Sequence, residues 1–122
     1  MRLKKFEKVY HRTGRPYFRF YRKTGLFTIS KPMIKKIGLM PTDKLSFFQD
    51  EDSPKDWYLC IDQDKGTAIR FKRCGTCQMN NALLLKELVD SLNIPYDCDS
   101  FIIGSPTELN GNKYYPLLLN KI

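Results

Sequence analysis

Two parts of the chain repeat the same order of turns, helix caps and apolar strands, and this repetition constrains the fold more than any other feature. The clearer copy centres on Leu26–Phe48, and a longer version returns between Thr76 and Ile103. The matching positions, in chain order, are Arg19-Phe20 with Arg70-Phe71, Gly25 with Gly75, Ser30 with Asn80, Leu39-x-Pro41-x-Asp43 with Ile94-Pro95-Tyr96-Asp97, and Ser46-Phe47 with Ser100-Phe101. The sequence therefore predicts two copies of one small unit, the second longer by about one helical turn.

The first copy reads as strand, strand, short helix, strand and strand. Ser30 is a suitable N-cap for the helix, because its hydroxyl can accept from a free backbone amide of the first turn. Pro32 is tolerated in that turn, and Gly38 suits the end of the helix, where a positive φ is favoured. The predicted strands cover Tyr17–Arg22, Leu26–Ile29, Lys44–Gln49 and Trp57–Asp62.

The second copy repeats this order with a longer helix. Asn80 or Asn81 caps the helix, and Asn93 can close it in the left-handed conformation. Asn110-Gly111 is the strongest hairpin signal in the chain. Pro116 in the last strand predicts an edge position, because proline cannot donate a ladder hydrogen bond. The predicted strands cover Thr67–Arg73, Thr76–Met79, Ser100–Gly104 and Lys113–Leu119.

These elements predict a strand-rich α+β protein, with two pseudo-repeats of strand-strand-short helix-strand-strand packed as one domain. The length of 122 residues suits a single core. The expected parts are a basic N-terminal arm at residues 1–16, a first repeat at 17–63 and a second repeat at 67–119.

Positive charge is concentrated towards the N-terminus. The net charge is +8, yet residues 1–36 hold twelve Lys and Arg against Glu7 alone, whereas residues 37–122 hold nine basic and twelve acidic residues. Such segregation favours a polyanionic partner, most often nucleic acid. A basic solubilising tail is the alternative, since short basic termini are common.

The sequence predicts neither a membrane segment nor an exported protein. No run approaches the ~20 apolar residues of a membrane helix. The basic start MRLKKFEKVY is not followed by the apolar stretch of a signal peptide. We therefore expect a cytoplasmic protein without a membrane partner, in which the four cysteines are reduced.

The span Phe27–Asp50 (FTISKPMIKKIGLMPTDKLSFFQD) resembles the swapped-hairpin motif of the AbrB/MazE family. Lys35–Leu39 matches the basic helix end of that motif, and Pro41-Thr42-Asp43 matches its Pro-Gly-Asp-like turn, with Thr42 where glycine is usual. The resemblance implies two interlocked units, here in tandem as in the MraZ type. It also implies that basic residues near the first hairpin bind duplex DNA.

A second resemblance covers Lys44–Leu92, which reads as four strands and a helix. This order is similar to the whirly and coactivator-type single-strand DNA-binding fold, where basic and aromatic residues line a curved sheet. Both resemblances imply more strand than helix and a nucleic-acid partner. Either is compatible with a homo-oligomer.

The candidate contacts with nucleic acid lie in the arm and on or beside the two equivalent hairpins. Arginine fits phosphates and guanine edges in a bidentate manner, and lysine supplies a point charge. Aromatic rings that share a strand face with arginine can stack on bases. The candidates are Arg2, Lys4, Lys5, Arg12, Arg15, Arg19, Arg22, Lys23, Arg70, Lys72 and Arg73 for contact, and Tyr17, Phe18 and Tyr21 for stacking. The alternative is that the tyrosines pack at the edge of the core and the charges are solvated.

Cys74-Gly75-Thr76-Cys77 has the C-x-x-C spacing of redox couples and zinc sites. The pair lies in a predicted hairpin turn rather than at a helix N-terminus, which argues against a redox couple. Cys60, Cys98 and His11 do not complete a zinc ligand set. We expect ordinary thiols and no bound metal.

No catalytic constellation is predicted. His11 has no identifiable nucleophile beside it, and the clustered carboxylates have no partner base. That acidic cluster, which a solvated loop explains, is Asp50, Glu51, Asp52 and Asp56. We therefore expect a protein that is not an enzyme and needs no cofactor.

Three functions stay open at this point. The first is a small intracellular duplex-DNA-binding protein, similar to a transcription regulator, that uses the basic hairpins and the arm. The second is a whirly-like protein that binds single-stranded DNA or RNA. The third is a non-enzymatic interaction or assembly protein of a phage or mobile element, whose arm meets an acidic protein.

Overall fold

The computed structural model describes residues 16–62, 64–95 and 98–119. Within these ranges the chain forms ten strands and two helices. In chain order they are β1 (Phe18–Tyr21), β2 (Leu26–Ile29), α1 (Lys31–Ile37), β3 (Lys44–Gln49), β4 (Trp57–Asp62), β5 (Thr67–Ala68), β6 (Arg70–Phe71), β7 (Cys77–Asn80), α2 (Ala82–Leu92), β8 (Cys98–Ile103), β9 (Thr107–Leu109) and β10 (Asn112–Leu119). The chain is therefore a strand-rich α+β protein, as predicted.

The strands form an antiparallel sheet that nearly closes into a barrel. Its order is β5-β3-β4-β10-β8-β1-β2-β7-β6, and β9 pairs with β10 off this path. The two ends of that order, β5 and β6, are consecutive in the chain and are separated only by Ile69. The predicted strand Thr67–Arg73 is thus split at Ile69, and its two parts pair with β3 and β7. A covalent link therefore joins the two sides of the barrel where strand pairing stops.

Helix α1 begins and ends at the predicted residues. The Ser30 hydroxyl accepts a hydrogen bond from the Met33 amide at 3.3 Å, and Gly38 adopts a φ of +69°. The same hydroxyl accepts from the Tyr17 amide at 2.9 Å. One N-cap side chain therefore starts the helix and also holds the residue that directly precedes β1.

Helix α2 is capped by Asn81 and not by Asn80. The Asn81 side-chain oxygen accepts from the Leu84 amide at 3.0 Å, and its amide group donates to the Thr67 hydroxyl at 2.8 Å. Asn93 ends the helix with a φ of 53°, which confirms the predicted left-handed closure. The second cap, like the first, connects its helix to a distant part of the chain.

The turn between α1 and β3 is closed by a buried carboxylate. Asp43 accepts from the Met40 amide at 2.8 Å, and the Asp43 amide donates to the Met40 carbonyl at 3.0 Å. The Asp43 side chain is 7% exposed. The aspartate of the Pro41-Thr42-Asp43 turn therefore has a structural role.

Replacing Asp43 by alanine is expected to lower the free energy of unfolding by roughly 1–3 kcal/mol, because the Met40 amide loses the acceptor that the buried Asp43 side chain provides. Asp43→Asn keeps an acceptor and should lose less. Urea denaturation measures both, with Asp52→Ala in the exposed loop as the control. Equal losses at positions 43 and 52 would contradict this role.

Alternation along the strands builds one core. In β1, Phe18 and Phe20 are 1% and 0% exposed, whereas Arg19 between them is exposed. The helices contribute to the same cluster through Met33 and Leu88, among others. The core therefore draws on residues of both predicted repeats.

Pro116 does not lie at an edge, contrary to the prediction, because β10 lies between β4 and β8. The Pro116 carbonyl accepts from the Gly104 amide at 3.0 Å. The ring nitrogen points to that same side of the strand, just beyond the end of β8. An added Cβ at Gly104 would lie 2.9 Å from the Pro116 Cγ. The sheet accommodates the proline because the neighbouring strand ends there, at a glycine.

The Asn110-Gly111 turn is confirmed, with φ values of 52° and 82°. It connects β10 to β9, a strand that the sequence analysis missed. All three residues of β9 are exposed, so its sequence shows no alternation between apolar and polar positions.

Candidate nucleic-acid interface

Side chains of five neighbouring strands form one row on the outside of the barrel. Partners that lie directly opposite each other in an antiparallel pair point to the same face. Successive cross-strand partners in this polar row are Ser100, Arg19, Thr28, Gln78 and Arg70. Ser100 at one end is buried, and the other four are exposed or half-buried. Arg19 and Arg70 therefore share one surface, three strand spacings or roughly 14 Å apart.

Neutral neighbours orient both arginines. The Arg19 guanidinium carbon lies 5.3 Å from the centre of the Tyr17 ring, in a cation–π contact. The Arg70 Nη2 donates to the Asn80 side-chain oxygen at 2.6 Å. Neither contact neutralises the positive charge, so both guanidinium groups can still attract an anion.

Two basic turns flank the polar row at opposite ends of the β2–β7 pair. The β1–β2 turn carries the exposed Arg22 and Lys23, and the β6–β7 turn carries the exposed Lys72 and Arg73. Because β2 and β7 are antiparallel, their connections to β1 and β6 emerge at opposite ends. The turns therefore extend the charge of the row in two directions.

Each basic turn packs against the start of a helix through a glycine. Gly25 has a φ of +69°, and a Cβ added there would lie 2.9 Å from the Ala82 Cα. Its carbonyl accepts from the Asn81 amide at 3.0 Å. Gly75 has a φ of +92°, and its added Cβ would lie 3.2 Å from the Lys31 Cδ. Lys31 therefore adds a charge beside the second turn.

The four strands β1, β2, β6 and β7 and the two basic turns contain no acidic residue. Residues 17–36 and 65–86, which contain β1, β2, β6, β7 and their turns, hold eleven Lys and Arg and no Asp or Glu. The β3–β4 loop at residues 50–56 holds four acidic residues and one Lys. We call the surface of β1, β2, β6 and β7 the basic wall. Such a surface attracts polyanions over a distance.

The basic wall contains the predicted contact residues that the structure describes. These are Arg19, Arg22, Lys23, Arg70, Lys72 and Arg73, all of them exposed. The predicted arm residues Arg2, Lys4, Lys5, Arg12 and Arg15 lie outside the described residues. The predicted contact residues of the two hairpins therefore lie on one surface, the basic wall.

The stacking prediction for Phe18 is wrong. This side chain is 1% exposed, and its cross-strand partners are Ile29 and Phe101, which are buried with it. Strand alternation places Phe18 inside the barrel when Arg19 is outside. Tyr17 and Tyr21 alternate with the buried Phe18 and Phe20, so they lie on the outer face, where both are half-buried.

Three uncharged polar residues on the basic wall escaped the sequence analysis: Thr28, Gln78 and Asn80. Charge and aromatic content, the signals used to find a polyanion site, do not detect them. Alternation could have done so, because the buried Phe27 and Met79 place these neighbours on the outer face.

The C-x-x-C thiols lie in different environments. Cys74 is exposed in the β6–β7 turn, whereas Cys77 is fully buried in β7. Burial raises the pKa of the Cys77 and Cys60 thiols. No group of three or more potential ligands that could hold a metal occurs in the part of the chain that the structure describes.

Cys74 is expected to react faster with iodoacetamide at neutral pH than Cys60 or Cys77. Its hydrogen bond with the Thr76 hydroxyl, at 3.2 Å between sulfur and oxygen, lowers the pKa of the thiol, so more thiolate is present at a given pH. Thr76→Val should shift the rate–pH profile of Cys74 to higher pH, as mass spectrometry of the labelled peptides can measure. An unchanged profile would rule out this role of Thr76.

The outer surface opposite the basic wall carries an apolar cluster among polar residues. Phe48 and Tyr114 meet edge to face with ring centres 5.4 Å apart, and Leu109 beside them is 59% exposed. Together with Tyr58 they line an open cleft of about 310 Å³. The polar row is thus a property of one side of the barrel and not of its whole surface.

Helix α2 is the longer of the two described helices, with eleven residues. Neither helix in the described ranges has the length and apolar character needed to cross a membrane. Comparison of the chain with protein-family models, with curated proteins and with solved structures finds no match in any of the three.

Proposed function

We propose that this chain is a duplex-DNA-binding protein and that the basic wall is the surface that meets the DNA. The observation that carries the proposal is the polar row, in which Arg19 and Arg70 lie roughly 14 Å apart. Residues 17–36 and 65–86, which contain β1, β2, β6 and β7, contribute eleven basic and no acidic residues. Phosphate contacts supply most of the affinity of proteins for DNA, and β1, β2, β6 and β7 offer cations without a carboxylate of their own.

The shape of the wall suits the major groove. The β2–β7 pair lies at its centre, and curvature of the nearly closed sheet makes the outer face convex, so a duplex that docks on the wall would meet this pair first. A major groove about 12 Å wide admits a two-stranded ribbon. Arg19 and Arg70, on the strands that flank the ribbon, are then within reach of phosphates on the two sides of the groove.

We also infer that the chain is a tandem pair of swapped-hairpin units, similar to the AbrB/MazE family. The strand pairs support this because they are symmetric. The split strand β5–β6 is the counterpart of β1, and β7, β8 and β10 are the counterparts of β2, β3 and β4. Exchanging counterparts converts the pair β1–β2 into β6–β7, β3–β4 into β8–β10, and β1–β8 into β5–β3. In the pairs β2–β7 and β4–β10, each strand pairs with its own counterpart. Gly25 and Gly75 support it too, since each packs against the helix of the other unit.

Single-stranded nucleic acid is the second candidate, favoured by the outward-facing Tyr17 and Tyr21 beside Arg19. Such rings can stack on unpaired bases. A whirly-like sheet would need four consecutive strands from Lys44 onward as neighbours. Here β4 pairs with β3 and β10 and not with β5. We therefore rank the duplex first.

The test compares duplex and single-stranded DNA of equal length, titrated with the full chain over a range of salt concentrations. We expect tighter binding to the duplex, with the logarithm of the affinity falling linearly as the logarithm of the salt concentration rises. No duplex binding at low salt would refute the proposal. A clear preference for single strands would favour the second candidate.

The proposed biological setting is a cytoplasmic, non-enzymatic regulator similar to a transcription factor. An acidic protein that binds the chain and is not displaced by DNA would favour the third function, an assembly protein. Self-association stays a prediction, and sedimentation of the full chain over a range of concentrations checks it.

A further inference from the structure

The centre of the basic wall carries hydrogen-bonding groups without charge. We propose that Gln78 and Thr28 read base edges in the major groove and select an A·T pair. This inference rests on the proposed function, because it assigns sequence selectivity to the surface that binds the duplex.

The two side chains occupy the position from which bases can be reached. They are cross-strand partners in the β2–β7 pair at the centre of the wall, and both are half-buried on its outer face. Opposite residues in an antiparallel pair have Cβ atoms about 5 Å apart, a distance that spans one or two base pairs. The flanking Arg19 and Arg70 keep the ribbon in register through phosphate contacts, which carry no sequence information.

The chemistry of this pair matches adenine and thymine. A glutamine amide can donate to N7 and accept from N6 of adenine, and a threonine methyl can pack on the C5-methyl of thymine. The neighbouring Asn80 is less suited to adenine, because its side-chain oxygen already accepts from Arg70 at 2.6 Å. Gln78 is therefore the amide assigned to base recognition.

The first experiment selects bound duplexes from a random library with the full chain. We expect an enriched motif that contains a fixed A·T pair. Replacing that adenine by 7-deazaadenine removes the N7 acceptor without changing the minor groove, and should lower the affinity roughly tenfold. Gln78→Ala should abolish the preference for that pair, while its affinity for unrelated duplex and its salt dependence stay as in the unmodified chain.

Gln49→Ala is the matched control, because Gln49 is an exposed glutamine on β3, outside the basic wall. It should change neither the motif nor the affinity. Thr28→Ser, which keeps the hydroxyl and removes the methyl, should weaken the preference for thymine over uracil. Thermal unfolding of each variant establishes that the barrel is intact.

Two results would overturn the inference. One is tight duplex binding by the unmodified chain with no enriched motif. The other is a motif that survives in the Gln78→Ala variant. Either result leaves the proposed function standing, whereas a complete lack of duplex binding refutes both.

Discussion

Replacing Arg19 and Arg70 together by alanine is expected to weaken duplex binding by roughly 100-fold at moderate salt, because each loss of a charged contact costs about 1.4 kcal/mol. The salt dependence should also become shallower, by about two released counterions. Fluorescence anisotropy with a labelled duplex, repeated over a series of KCl concentrations, measures both quantities.

The control is a double variant with the same change in net charge on other parts of the surface. Lys55 is exposed in the acidic β3–β4 loop, and Lys113 is exposed on β10, where its cross-strand partner is Glu108. Replacing both lysines by alanine should change the affinity less than about threefold. If the control weakens binding as much as the arginine variant, net charge and not the basic wall would govern the affinity.

Gly25→Ala should be among the most destabilising single substitutions, with a loss of roughly 3 kcal/mol in the free energy of unfolding. Two costs combine at this position. A φ of +69° strains any residue with a Cβ, by about 1–2 kcal/mol. The new Cβ would also lie 2.9 Å from the backbone of Ala82, and overpacking of this kind costs about 1–3 kcal/mol.

Gly38→Ala separates these two costs. Gly38 has the same φ of +69°, but its added Cβ would meet nothing within 4 Å. This variant should therefore lose only about 1 kcal/mol, the cost of the backbone strain. Urea denaturation of both variants gives the comparison. Equal losses would mean that the β1–β2 turn is not packed tightly against α2.

Local features of the fold were predictable because their causes are local. Ser30 and Gly38 begin and end α1 through contacts within a few residues, and the Asn110-Gly111 turn needs only two positive φ angles. The prediction for Pro116 failed for a reason that is not local. Whether a strand lies at an edge depends on its neighbours, and one neighbour of β10 is β4, where Tyr58, the partner of Pro116, lies 58 positions earlier in the chain.

The candidate site was predictable only in part, because its charges are visible in the sequence but the face on which they lie is not. Arg19 and Arg70 could be found as basic residues on two similar hairpins. Alternation alone does not say which face of β1 is buried, so Phe18 could not be excluded as a stacking residue. Once the fold buries Phe18, the outer face follows, and Thr28 and Gln78 appear on it. Uncharged polar residues in short strands give too weak a signal to be found otherwise.

The sequence by itself determined most of the strands, the cap of α1, the closure of both helices, the excess of positive charge in the first third of the chain and the similarity of its two halves. These follow from backbone preferences and from charge counts, which need no knowledge of distant contacts. Only the tertiary structure decided that Arg19 and Arg70 lie in one row, because the β2–β7 pairing joins residues about 50 positions apart. Closure of the sheet also decided that this row faces outward, on a wall that carries no carboxylate.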